Sequence, residues 1–92
     1  LPFIFGKPNV SEVLYFKKII DDSKFSYDEI KNLYFFKSKR WDIELKNNVL
    51  IKLSANNVKQ NLDYVFEIMK DTNFGKTKVI DMRIKNQIIL NG

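Results

Sequence analysis

The run from Trp41 to Leu53 constrains the fold more than any other part of the chain. Trp41, Ile43 and Leu45 alternate with Asp42, Glu44 and Lys46, and after Asn47-Asn48 the apolar phase resumes at Val49, Ile51 and Leu53. Successive side chains of an extended strand point to opposite faces, so the period of two predicts a strand with one wet face and one buried face. Asn tolerates positive φ, which predicts a two-residue hairpin at Asn47-Asn48 with the inward row continuing beyond it. A hairpin of this kind is not stable alone in water and needs further strands or a helix on its apolar face.

The partners are found on either side. Gly6-Lys7-Pro8-Asn9 is a turn cluster closing an apolar start. Asn9 and Glu12 have the spacing of a capping box, and Val10, Val13, Leu14, Phe16, Ile19 and Ile20 form an apolar stripe, which predicts a helix over 10–21. Residues 30–36 are β-branched and aromatic and predict a strand, with Lys37-Ser38-Lys39 as the turn into Trp41. Ser54 is positioned to cap a second helix over 55–71, whose seam is Val58, Leu62, Val65, Phe66 and Met69. Strands at 77–84 and 87–91 follow, joined at Lys85-Asn86, with Ile80, Met82 and Ile84 alternating against Val79, Asp81 and Arg83. The order α-β-β-β-α-β-β predicts one α+β domain over residues 1–92, an antiparallel sheet of about five strands carrying two helices on one face. The hydrophobic fraction of 45% is enough for a core, although a chain of 92 residues buries only about 60–65% of its unfolded surface.

Residue types narrow the chemistry. There is no His and no Cys, so the commonest acid–base group, the thiolate nucleophile and the usual metal ligands are missing. Gly6, Gly75 and Gly92 are too far apart to form a phosphate loop. The paired acids Asp21-Asp22 and Asp28-Glu29 have no ligand spacing and read as caps or solvated charge. Neither an enzyme nor a cofactor is expected. The net charge of +5 comes mainly from scattered Lys, fourteen against two Arg. A small basic nucleic-acid-binding domain is the alternative reading, and the aromatics interleaved with Lys between Tyr34 and Trp41 are its best support. Trp41 heads an inward row, however, which assigns it to the core rather than to a stacking platform. The segment Gln87-Ile88-Ile89-Leu90 is apolar on both faces and unguarded by Pro or inward charge. At a sheet edge it would accept a strand from another chain.

Several motifs resemble the C-terminal β-domain of the FtsQ/DivIB cell-division family. They are Leu1-Pro2-x-x-x-Gly6, the helix start from Asn9 to Val13, the hairpin from Arg40 to Asn48, the strand from Val49 to Leu53, and Ile80-Asp81-Met82-Arg83-Ile84-Lys85-Asn86. Their order and spacing resemble the family's over nearly the whole chain. The resemblance implies a non-enzymatic divisome scaffold whose terminal strand accepts a strand from an FtsB-like partner of an FtsB–FtsL pair. It implies an inner-membrane parent with one transmembrane helix and a POTRA domain outside this fragment, with this domain in the periplasm at the septum. Carried over, the partner-binding residues are Arg83, Ile84, Asn86, Gln87 and Ile88, with Lys39 or Arg40 as a second basic contact. Ile84 stands where the family commonly has Tyr, and Gln87 where it has Gly.

Overall fold

The computed structural model describes residues 2–70, 77–84 and 87–91. Six strands and two helices follow one another along the chain. They are β1 (Phe3–Phe5), α1 (Val10–Asp22), β2 (Ile30–Phe35), β3 (Trp41–Leu45), β4 (Leu50–Leu53), α2 (Val58–Ile68), β5 (Val79–Met82) and β6 (Ile89–Asn91). The sheet takes the strands in strict sequence order, from β1 to β6.

The α+β expectation holds, but the sheet is mixed. The pairs β1–β2 and β4–β5 are parallel, whereas β2–β3, β3–β4 and β5–β6 are antiparallel. The reason is the connections. A tight turn returns the chain antiparallel, but a helix laid across the sheet between neighbouring strands returns it parallel. Helix α1 links β1 to β2, and α2 links β4 to β5. The sixth strand, β1, is the apolar start of the chain, three residues long and exposed in its side chains. Too short to show alternation, it is defined by its partner, with Phe3, Ile4 and Phe5 opposite Asn32, Leu33 and Tyr34.

Both loops of the β2–β3–β4 meander are three-residue turns closing on a left-handed residue. Lys39 N–H donates to the Phe36 carbonyl and Lys39 has φ 68°; Asn48 N–H donates to the Leu45 carbonyl with φ 71°. The expected two-residue turn at Asn47-Asn48 is therefore widened by Lys46, and Asn takes the left-handed position at low cost. Gly6 is required where it is: its φ is +101°, and a Cβ there would lie 2.4 Å from the Phe35 carbonyl oxygen.

Helix α1 carries the expected capping box, with Asn9 accepting from Glu12 N–H and Glu12 accepting from Asn9 N–H. Of its expected stripe, Phe16 and Ile20 are buried and Val13 and Ile19 pack against the core, while Val10 and Leu14 face outward. Helix α2 is shorter than expected at its start. Asn57, in the left-handed conformation and without a side-chain cap bond, precedes it, and the Ser54 hydroxyl instead donates to the Asn56 carbonyl.

The core lies between the helices and one sheet face. Ile30, Leu33, Trp41, Ile43, Leu45, Ile51, Leu53, Ile80 and Met82 meet Phe16, Ile20, Leu62 and Val65. Trp41 stacks face to face on Phe16 with centroids 4.6 Å apart and is tilted against Phe35 at 4.8 Å. Lys24, just beyond α1, ties that turn to α2: its backbone N–H donates to Asp63 and its ammonium to Glu67. Leu33 and Ile43 are paired across β2 and β3, and a register shift between Ile30 and Asn32 keeps Ile30 opposite Leu45. Lys31 is thus the extra residue of a bulge, which brings Ile30 and Leu33 onto the same inward face.

Candidate functional site: the open sheet face and its terminal edge

The face opposite the helices carries the chain's organised charge. Register alone produces it. Asp42 on β3 pairs with Lys52 on β4, Lys52 pairs with Asp81 on β5, and Asp81 pairs with Ile89 on β6. Two arginines bracket this row, Arg40 just before β3 and Arg83 just after β5, each brought to the face by its ion pair with the aspartate two residues away. The Arg40 guanidinium pairs with Asp42 and also donates to the Leu53 carbonyl at 3.4 Å. Its plane lies over the Phe36 ring, 4.2 Å from the centroid. Asp81 takes Nε of Arg83 on Oδ1 at 2.9 Å and Nη2 on Oδ2 at 2.6 Å, while Oδ1 also accepts the Arg83 backbone N–H at 3.0 Å.

The wet-face expectation for Asp42 is corrected here. Asp42 is only 5% exposed and Asp81 9%, each paired with the arginine beside it. A carboxylate withdrawn from water must be paired. The sequence signal was present as Arg40-x-Asp42 and Asp81-x-Arg83, the same-face spacing of a strand, but alternation alone cannot tell a solvated carboxylate from a covered one. The two acids titrate in opposite directions. Burial pushes the Asp42 carboxyl above its ordinary range against the pull of Arg40, Lys52 and Arg83. Asp81 is held below its ordinary range, chiefly by the hydrogen bonds from Arg83. One strand pair further along, Glu44 accepts from Asn32 at 2.7 Å and Tyr34 at 2.9 Å, and those bonds lower its pKa.

The residues expected to bind a partner divide between the two faces. Arg40 and Arg83 share the open face. Lys39 does not join them: it reaches the helix side, 3.1 Å from Glu12 at the start of α1, and is 69% exposed. Ile84 was expected to continue the inward row of β5, but the strand stops at Met82, and Ile84 is exposed beyond it. Gln87 is exposed and its N–H donates to the Ile84 carbonyl, while Ile88 packs partly against the core. Asn86 lies outside the described residues. Met82, Arg83, Ile84, Gln87 and Ile88 form one wall of a groove of about 820 Å³ whose other wall includes Asn57 and Tyr64.

Strand β6 is the terminal edge. Its three side chains are exposed, and Leu90 and Ile89 are opposite Ile80 and Asp81. The Asn91 carbonyl accepts from Lys78 N–H at 2.7 Å, so the backbone of Asn91 is turned toward β5. Backbone groups alternate along a strand, which turns the N–H and C=O of Leu90 toward the outer edge.

Asp21 pairs with Lys17 at 2.7 Å, and Ser26 and Glu29 form a capping box around the short 3-10 turn Tyr27–Glu29. Among the described residues no cluster of three or more His, Cys, Asp or Glu could hold a metal. Trp41 is 6% exposed beneath Phe16 and Phe35, so it offers no ring to a nucleobase.

Fold and surface together define a mixed-sheet α+β domain, with two strand–helix–strand units joined through β3 and an organised charge row on the open face. The family model described as "Cell division protein FtsQ/DivIB, C-terminal" matches residues 1–83, and the chain belongs to that family. It is a cell-division domain of a non-enzymatic scaffold family. No curated protein matches the chain. The family match ends at Arg83, at the threshold of the terminal segment that contains Ile84, Gln87 and Ile88.

Proposed function

We propose that this domain is a divisome scaffold that binds an FtsB-like partner, itself paired with an FtsL-like chain, by accepting a strand along β6. The parent is an inner-membrane protein with a single membrane-spanning helix and a POTRA domain, and this domain works in the periplasm at the septum. It performs no catalysis of its own and uses no cofactor.

The observation that carries this reading is the edge at β6, where the Leu90 backbone is turned outward on a strand with no Pro. Main-chain groups of such an edge supply directional bonds to an incoming strand, and side chains to either face supply selectivity. Arg83 is beside that edge and Arg40 lies further along the same face, both cationic, so an acidic residue on the partner meets favourable charge. The other side of the added strand faces Leu90 and the groove lined by Met82, Ile84 and Ile88.

The experiment is a pair of changes at one position. Leu90→Pro removes the outward N–H, and Pro is tolerated on an edge where the donor faces outward. Leu90→Ala keeps the N–H and trims a half-exposed side chain. With folding verified by circular dichroism, titration with an FtsB-like peptide is expected to show binding abolished by Leu90→Pro and only modestly weakened by Leu90→Ala. A folded Leu90→Pro domain with parental affinity would exclude strand addition at β6.

A further inference from the structure

Arg83 belongs to a pair, and its partner within the chain has no role in the reading above. Asp81 makes three bonds to Arg83: one to the backbone N–H and two to the guanidinium. An exposed arginine samples many rotamers, and fixing one on binding costs free energy. Here the folded chain has already fixed it. Asp81 is itself anchored, being 9% exposed and paired in register with Lys52 on one side and Ile89 on the other.

The geometry also decides against simple sequestration. A guanidinium has five N–H donors, and Asp81 engages only Nε and one bond of Nη2. The Arg83 side chain is still 44% exposed. It can therefore accept a second carboxylate without releasing the first, and a nearly buried Asp81 strongly disfavours being released. Neighbouring strands are about 4.8 Å apart, so a residue of an added strand opposite Ile89 lies in the same row, two spacings from Asp81. A glutamate reaching back from that strand meets a guanidinium already lying over the row.

We propose that Asp81 is a positioning residue: it holds Arg83 on the open face beside β6, ready for one carboxylate of the added strand. This rests on the strand-addition reading, and the test separates the two. An FtsB-like peptide with a glutamate in its extended segment, and its Glu→Gln counterpart, are titrated against the parent, Asp81→Asn, Asp81→Glu and Arg83→Ala domains at low and high salt. Asp81→Asn is expected to weaken binding of the glutamate peptide about three- to tenfold, the range of one immobilised side chain. Asp81→Glu is expected to recover part of that loss. Against the glutamine peptide or at high salt the difference should shrink, which a merely structural defect would not do. Parental or tighter binding by Asp81→Asn, with Arg83→Ala still weaker, overturns the proposal and makes Asp81 a competitor for the partner's acid. Absence of binding by the parent instead removes the strand-addition reading. In that event the Arg83 Nε–H signal in the NMR spectrum still tests the fixed guanidinium: a protected signal in the parent, lost in Asp81→Asn, supports it, and a rapidly exchanging signal in both overturns it.

Discussion

Replacing Trp41 by Ala tests the core where the two layers meet. The ring is 6% exposed and lies between Phe16 of α1 and Phe35 of β2, stacked on the first and tilted against the second. Removing a buried Trp costs about 3–5 kcal/mol through lost transfer energy and the cavity left behind. The two ring contacts fall within that range rather than adding to it, since each is worth only about 0.5–1.5 kcal/mol beyond its area. At about 0.05–0.15 kcal/mol per residue, a chain of this length holds roughly 5–14 kcal/mol. The substitution thus removes at least about a fifth of the stability, and at the low end nearly all of it. Converted at about 4–8 °C per kcal/mol for a domain of this size, the midpoint should fall by at least roughly 12 °C. Trp41 is the sole Trp, so unfolding is followed by circular dichroism rather than fluorescence. Trp41→Phe serves as the control that keeps an aromatic ring over Phe16. A Trp41→Ala domain whose midpoint matches the parent would refute the buried stack and return Trp41 to the surface.

Other perturbations probe separate parts of the same reasoning. Gly6→Ala combines φ +101° with a Cβ 2.4 Å from the Phe35 carbonyl oxygen; a cost of about 1–3 kcal/mol is expected in urea denaturation. Asn9→Ala removes the cap of α1, and the same assay should show a loss of about 1 kcal/mol. The acid limb of stability should respond oppositely to the two buried aspartates. Asp81, lowered by Arg83, contributes stability that is present above the ordinary carboxylate pKa of about 3.9 and lost as pH falls through its lower folded value. Asp42, raised by burial, binds its proton more readily in the folded state, so its contribution improves as pH falls through its raised value. Asp81→Asn should therefore flatten the decline in thermal midpoint below about pH 4, whereas Asp42→Asn should remove the gain that accrues above about pH 4, as pH falls through the raised folded value.

The elements written in side-chain period were legible. Trp41, Ile43, Leu45, Ile51 and Leu53 fall on the inward face as alternation requires, and the Asn9–Glu12 box starts α1. What escaped was set by partners distant in sequence. β1 has only three residues, too few for a period, and it is a strand because β2 is beside it. The parallel pairings follow from where the helices cross, which local pattern does not encode. The Asn57 start of α2 displaced the expected Ser54 cap because the hydroxyl of Ser54 found the Asn56 carbonyl. Within the candidate site, Arg40 and Arg83 could be carried over from family resemblance, but Asp42, Lys52 and Asp81 become one row only through two strand registers. Lys39 and Arg40 are adjacent in sequence yet serve opposite faces, because the left-handed turn at Lys39 ends as β3 begins.

The sheet has two ends, and they are not equivalent as acceptors. β1 is flanked by Pro2 and, beyond Gly6, by Pro8, and neither Pro has a donor to offer a neighbouring strand. Its pairing with β2 is parallel. A strand added there would lie between Pro residues that cannot propagate the ladder. At β6 the described residues 87–91 include no Pro, the pairing to β5 is antiparallel, and the Leu90 backbone is turned outward. The two edges also differ in charge. Phe5 stacks on Tyr34 beside β1, whereas Arg83 is fixed next to β6 by Asp81. An apolar edge discriminates poorly among strands, but a single oriented cation favours an acidic strand and sets its register. Two determinants of a selective strand acceptor, an outward-turned backbone and an oriented charge, thus coincide at β6. The edge expected to bind is the one where Leu90→Pro and Asp81→Asn both weaken the complex, the first through the backbone and the second through Arg83.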